Sequence, residues 1–529
     1  MNVILYNAKI YPQYIVRPKP TLVVVTGNRI AAIGTDLLAM RKQFPKHDLI
    51  NLKGRAVLPG LVDSHTHFYF WAVTLHTVHL EGAATFDDAL DRIRLFAQNH
   101  PTDEWIIGDG WSADRWQTYH LPTAAELDAV TFGRPAALFS KDQHIVWTNS
   151  RALQLAGMSK SSPEPAGGRI DRDPVTNEPT GILREIPGYF PVIKLISRPD
   201  PQRVLGVWQE ATRIAHSRGV TGFHSMDGPE AWDFFTLMNG RNKLGFRVTY
   251  YYPVKMLETL ISNGIKSGHG DETLRVGGIK IFADGSLGAQ TALMKKPYLR
   301  RKNHFGVETT TLAELTEQVG RASRNGLACA IHAIGDQAVA NVITAFENTA
   351  PHADLRHRIE HLQIIAPTDI PRLKKMRLIA SMQPSHCVSD RQLVADYWGS
   401  RGKNAYIFKT LHNEHIPLAF GSDCPIEPLD PIGGIHAAIN RNGFGENGEK
   451  FYPQEKLSVV QAVRYFTVGA AYAAGLEEVT GRIAPGFLAD MTILDDDIYT
   501  CPPSQIYKAR VAATIFNGEP VFQTGDNFS

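Results

Sequence analysis

Six side chains along this chain have the chemistry to hold a metal ion or to move a proton: His65, His67, Lys280, His332, His361 and Asp423. Neutral imidazole suits zinc and its neighbours, and a carboxylate completes such ligand sets. His65 and His67 stand two apart in Val62-Asp-Ser-His-Thr-His67, and residues two apart on a strand project to one face. Lys280 lies in Gly277-Gly-Ile-Lys-Ile-Phe-Ala-Asp284, and His332 closes Leu327–Ile331. His361 closes Arg358-Ile-Glu360, and Asp423 follows Ala419-Phe-Gly-Ser422. Each has a plainer reading. A lone histidine at a strand end can be a hydrogen-bonded core residue, Lys280 could pair with Asp284, and Asp423 could cap a helix. What singles them out is their shared place, at the ends of apolar, strand-like segments.

Those segments recur with helices between them. Thr311-Leu-Ala-Glu314 is a capping-box pattern, followed by apolar residues at helical spacing and a stop at Gly326. Strand-like Leu327–Ile331, a helix over Gln337–Glu347 and strand-like His357–His361 follow, then Leu378–Met382 and Ile416–Phe420. Earlier members are Ala56–Val62, Val220–His224, Phe246–Tyr251 and Arg275–Phe282. Alternating strands and helices imply a parallel sheet, and about eight such units make a (β/α)8 TIM barrel, whose active sites lie at the strand C-termini. The barrel is expected over 56–479. Residues of about 72–215 do not fit one βα unit and read as an inserted lid subdomain after the first strand. Thr21–Val25 and Arg29–Ile33 flank a Gly-Asn turn, and Asn517-Gly518 marks a second hairpin near the end. Residues 1–55 with 480–529 are therefore expected to form one small β-sandwich domain built from both termini.

Composition narrows the function. Among 529 residues, 43% are hydrophobic and 20% charged, the balance of a globular protein. The net charge of +2 implies no polyanionic partner such as nucleic acid. No apolar run approaches the ~18 residues of a membrane span. The start has no secretory pattern, and the four cysteines are widely spaced. A cytoplasmic setting is expected.

The words around the six residues resemble the amidohydrolase superfamily, and within it the group similar to N-substituted formamide deformylases. They are Leu58-Pro-Gly-Leu-Val-Asp-Ser-His-Thr-His67, Ile279-Lys-Ile-Phe-Ala-Asp-Gly-Ser-Leu-Gly288, His332-Ala-Ile-Gly-Asp336, Ile359-Glu-His361, Gly421-Ser-Asp423 and Gly481-Arg-Ile-Ala-Pro-Gly-Phe-Leu-Ala-Asp490. Asp142-Gln-His144 matches in part, with Gln143 where the family usually has glycine. The resemblance implies a divalent metal, zinc by preference, with one or two ions per chain. His65, His67 and Asp423 would hold one and His332 and His361 the second. Lys280 would bridge them as an N6-carboxylated side chain. The implied reaction is hydrolysis of a non-peptide carbon–nitrogen bond by metal-activated hydroxide, with Asp423 as the catalytic proton shuttle. A cyclic amidohydrolase of hydantoins or imides is the alternative, and a metal-free structural relative is another.

The expected partner is a small-molecule amide, an N-acyl or N-formyl amine, with a homodimer as the candidate assembly. Trp111, Trp116 and His144 are candidates for lining the pocket from the lid. Phe68, Tyr69, Phe70 and Trp71 offer aromatic walls if their segment turns inward, the rival reading being that they pack the first barrel helix. Gln383 and His386 could donate hydrogen bonds to an amide oxygen.

Overall fold

The computed structural model describes residues 1–12, 20–101, 103–196, 201–349, 354–445 and 450–525. Eight parallel strands form its central sheet: β1 (Leu61–Thr66), β2 (Val220–Ser225), β3 (Arg247–Pro253), β4 (Leu274–Phe282), β5 (Ala328–Ala333), β6 (Arg358–His361), β7 (Ile379–Met382) and β8 (Leu418–Phe420). They pair in chain order from β1 to β8. The ring closes just past the end of β8. Asp423 N–H donates to His65 O at 2.7 Å, and His67 N–H donates to Cys424 O at 2.8 Å. Gly421 makes this approach feasible, because a Cβ there would collide with the His65 backbone. The fold is the (β/α)8 barrel with helices outside, as the alternation of elements predicts.

The helix after β4 shows why local sequence suffices for much of this. Thr311 and Glu314 form the expected capping box, and the Leu312–Arg324 helix buries Leu315, Val319 and Ala322. Gly326 follows at φ 76°, a left-handed turn that returns the chain to β5.

One strand is corrected. The apolar run Ala56–Val62 is two strands. Ala56–Pro59 pairs with Met491–Leu494 in a five-stranded sheet, while the barrel strand starts at Leu61. The break falls at Gly60, which lies so close to the Thr221 side chain that a Cβ would not fit. Continuous hydrophobicity hid the break, since both strands are buried.

The five-stranded sheet joins Lys9–Ile10 and Ala56–Pro59 to Met491–Leu494, Val511–Phe516 and Glu519–Gln523. A four-stranded sheet takes Asn2–Tyr6, Leu22–Thr26, Arg29–Gly34 and Asp48–Asn51. The two sheets share a core of Val3, Leu5, Val23, Val25, Val57, Met491, Ile493 and Ile515, so both termini build one sandwich. Both hairpins form where the turn residues stand.

Between β1 and β2 lies a separate six-stranded sheet, from Val78–His79 to Pro179–Arg184. Helix Pro201–Ser217, which follows it, packs on the barrel through Trp208, Ala211 and Ala215. Among the described residues, no helix is long and apolar enough to cross a membrane.

Candidate metal centre

The strand C-termini bring five of the six side chains into direct contact around Asp423 or His361. His65 Nε2 and His67 Nε2 lie 3.3 and 3.5 Å from Asp423 Oδ1, and His361 Nδ1 lies 3.8 Å from Oδ2. The rings of His65 and His361 are 4.7 Å apart, and those of His332 and His361 4.5 Å. Potential ligand atoms of His65, His361 and Asp423 all fall within 4.8 Å of one another. His67 and His332 flank that group. Lys280, the sixth, is buried on β4 with its ammonium over the Phe282 ring at 4.9 Å. It does not pair with Asp284, whose oxygens accept from the backbone N–H groups of Ile334, Gly335 and Leu293.

Two of the six need unusual backbone to get there. Alternation along β6 would send Glu360 and His361 to opposite faces, yet both meet His65. His361 achieves this at φ 69°, and Asp423 stands at φ 63°. Non-glycine residues held in the left-handed region cost of order 1–3 kcal/mol each and gather at functional sites.

The donor set fits a divalent cation. Glu360 Oε2 accepts from His65 Nδ1 at 2.5 Å, which fixes the tautomer and leaves the lone pair on Nε2. That Nε2 is buried with no hydrogen-bond partner among the described residues, a cost that a bound ion would remove. Gln383 Oε1 accepts from His361 Nδ1 at 3.0 Å and fixes that ring in the same way. His332 Nε2 donates to Gly285 O at 3.1 Å, leaving Nδ1 as its lone-pair atom. Burial holds His332 and His361 well below the usual imidazole range, helped by Lys280 beside the first and His332 beside the second. They are neutral, as ligands must be. Burial opposes the Asp423 charge, but the surrounding imidazoles, His65 foremost, outweigh it and keep the carboxyl ionised. Burial also lowers Lys280 to about 8, against the pull of Glu360 and Asp423.

A buried ion pair supports this cluster from below. Arg358, fully buried, binds both oxygens of Glu360 and reaches His224 Nδ1 at 2.8 Å, with further bonds to Ser64 O and Ser381 Oγ. Sequence reasoning passed over both residues. The signal was there, because charges at alternate positions of a buried strand must face each other or a ligand. Asp63 was missed likewise. Its carboxylate takes the Ser422 hydroxyl and backbone N–H and so ties β1 to the loop carrying Asp423.

The expected substrate contacts divide. Trp111 and Trp116 fill the insertion's own core at 2% and 5% exposure, with Trp111 Nε1 donating to Leu138 O. They are therefore corrected from pocket lining to packing, since the insertion's six-stranded sheet needs large apolar side chains on its face. Gln383 supports His361 through Oε1, and its Nε2, the donor, is buried without a hydrogen-bond partner among the described residues. The aromatic wall is also corrected: Phe68 stacks on Phe223 at 4.5 Å, Tyr69 packs on Phe234 and Trp71 on Phe68. Phe70 meets the insertion, at Phe139. His386 stays at the site, its buried Nε2 without a hydrogen-bond partner among the described residues and 3.9 Å from Asp423 Oδ2. His144 reaches the site too, with its ring 6.3 Å from that of His332.

A (β/α)8 barrel with imidazoles, a lysine and a carboxylate gathered at its strand C-termini is built as an enzyme. The amidohydrolase family profile matches residues 48–522. The chain belongs to that family and is a hydrolase acting on carbon–nitrogen bonds. It is 32% identical over 492 residues to "Protein LONG AFTER FAR-RED 3" of Arabidopsis thaliana, covering 89% of this chain and 83% of that one. It is 25% identical over 516 residues to the N-substituted formamide deformylase of Arthrobacter pascens, covering 94% of each. A crystal structure of an uncharacterized metal-dependent hydrolase from Pyrococcus horikoshii OT3 superposes with a TM-score of 0.79 at 28% identity, covering 95% of this chain and 99% of that one.

Proposed function

We propose that this protein is a metal-dependent hydrolase that cleaves a small N-acyl or N-formyl amine to an amine and a carboxylate. The observation that carries the reading is the convergence of His65, His361 and Asp423 within 4.8 Å, with His65 Nε2 buried and unpartnered beside the carboxylate. His65, His67, His332, His361 and Asp423 would hold one or two divalent ions, zinc by preference, and Lys280 as a carbamate would join them. When bound, such an ion polarises an amide carbonyl and makes water more acidic.

The chain's own groups do the rest. Asp423, ionised and beside both His65 and His67, accepts the proton of the attacking water and returns it to the leaving nitrogen, which an amide requires because amine anions leave poorly. Glu360 and Gln383 hold the rings of His65 and His361 in register. Lys280, lowered to about 8 by burial, is close to the neutral form that adds carbon dioxide. The distant deformylase relative supports the choice of substrate.

The test is a rate comparison across N-alkyl and N-aryl formamides, larger N-acyl amines, charged amides and cyclic imides, on protein loaded with zinc, manganese or cobalt. Preference for neutral formyl and acyl amines is expected. A preference for cyclic imides would replace this reading with that of a cyclic amidohydrolase. Intact-mass analysis showing Lys280 without added carbon dioxide, beside one ion per chain, would remove the carbamate and keep the hydrolase.

A further inference from the structure

Three of the four histidines gathered at the barrel mouth have their rings turned by a neighbour: His65 by Glu360, His361 by Gln383 and His332 by Gly285 O. His67 does not. Its Nε2 stands 3.5 Å from Asp423 Oδ1, and among the described residues no hydrogen bond from another group orients the ring. It is also the most open of the four, with 29% of its side chain exposed against 1% for His65 and 5% for His332 and His361. A ring without such support takes its direction from its own main chain, because backbone conformation decides which rotamers are allowed.

That main chain is held from two sides. His67 N–H donates to Cys424 O, just past β8, at 2.8 Å. On the other side, His67 is the cap residue of helix Phe68–Thr74. A cap side chain ordinarily accepts from the N–H groups of the second or third helical residue, and that of His67 makes no such bond. Asp227, just past β2, makes both instead. Its Oδ2 accepts the Tyr69 N–H at 3.2 Å and its Oδ1 the Phe70 N–H at 2.9 Å. The carboxylate is buried, and Ser225 Oγ donates to Oδ2 at 2.7 Å. Ser225 is paired in register with Thr66, the residue before His67. Asp227 is thus fixed to the strand that carries the imidazole as well as to the turn that follows it.

We propose that Asp227 is the positioning residue for His67: by capping the turn after β1 it fixes the main chain from which this imidazole is aimed at Asp423, the role that Glu360 and Gln383 perform on the rings of His65 and His361. The cap is supplied from a neighbouring strand end, which leaves the side chain at the cap position free for the site. This rests on the reading of His67 as a metal ligand. Losing a group that orients a ligand costs about 10–100-fold in metal affinity.

The experiment is a double-mutant cycle on the full chain, read as zinc affinity by equilibrium competition with a chromophoric chelator. Asp227→Ala should weaken binding about 10-fold and shift the visible spectrum of the cobalt-loaded protein toward that of His67→Ala. In the His67→Ala background the same substitution should cost less than about two-fold, because a support has no effect once the ring it aims is gone. Asp227→Asn keeps one oxygen to accept the Phe70 N–H. It should lose about three-fold with His67 present and nothing without it, and it carries the cycle if Asp227→Ala does not fold. Equal losses in both backgrounds would make Asp227 a general brace of the barrel mouth, and no loss with His67 present would remove its role. Either result overturns this inference and leaves the hydrolase reading in place. Wild-type zinc affinity in His67→Ala alone would show that His67 is not a ligand, and that part of the functional reading would fall together with this inference.

Discussion

The barrel buries histidines in two settings. At the mouth, His65, His332 and His361 are 0–4% exposed; on the outer side of the barrel wall, His216 and His357 are each 3% exposed. Burial does not distinguish them. Partners do. His216 Nε2 donates to Gly245 O at 3.0 Å, and His357 Nδ1 accepts the Cys329 N–H at 3.0 Å, so each ring finishes a backbone bond. At the mouth, carboxylate and amide side chains claim one ring nitrogen of His65 and His361, and His65 Nε2 is left bare beside Asp423. His332 also bonds the main chain, at Gly285 O, yet its ring lies 4.5 Å from that of His361, so what marks the site is convergence of the rings on one another rather than the absence of a main-chain bond.

The largest expected effect breaks the comparison directly. His65→Ala or His361→Ala should lose metal and bring hydrolysis below detection with the fold retained. His216→Asn and His357→Asn should keep both metal and rate while lowering the Tm. Metal analysis and calorimetry on the same preparations decide it; loss of metal from the His357 variant would blur the distinction.

Next in size is Asp423→Asn. The amide preserves shape but cannot take a proton, so metal should largely remain while turnover falls about 10²–10⁴-fold. A near wild-type rate would move the shuttle to another group, with His386 the nearest candidate.

Glu360→Gln sharpens the role of ring orientation. The amide can present its N–H to His65 Nδ1 and so favour the wrong tautomer, and it leaves Arg358 buried without its charge partner. Metal affinity should drop about 10–100-fold, the usual effect of losing a ligand's support. Equilibrium metal competition measures this apart from activity.

The smallest effect lies on the outer side. Burial lowers His357 to about 3 and His216 to about 4, the latter against its bond to Gly245. Both are neutral when folded, whereas the unfolded chain protonates near ~6.5. Stability from these two is present above that pH and is lost as pH falls toward the folded values, by up to ~1.4 kcal/mol per pH unit for each. His357→Asn should flatten the acid limb of a Tm–pH curve between about pH 6 and 4. An unchanged slope would assign acid lability to the carboxylates instead.

Local sequence determined the elements. Capping at Thr311, turns at Gly27-Asn28 and Asn517-Gly518, and apolar runs bounded by breakers define strands and helices without reference to the rest of the chain. Because active-site residues of a barrel come from strand ends, His65, His332, His361 and Asp423 could be picked out from those same boundaries. The split at Gly60 was illegible, since it depends on Thr221 in a strand 161 residues away. The aromatic residues were illegible for a related reason: Phe68, Trp111 and Trp116 have the composition of a pocket wall, and only packing partners separate wall from core. The left-handed backbone at His361 and Asp423, the Arg358–Glu360 support and the seating of His144 beside His332 are decided by tertiary structure. Each is unfavourable or meaningless on its own segment and is held by contacts that the closed barrel alone brings together.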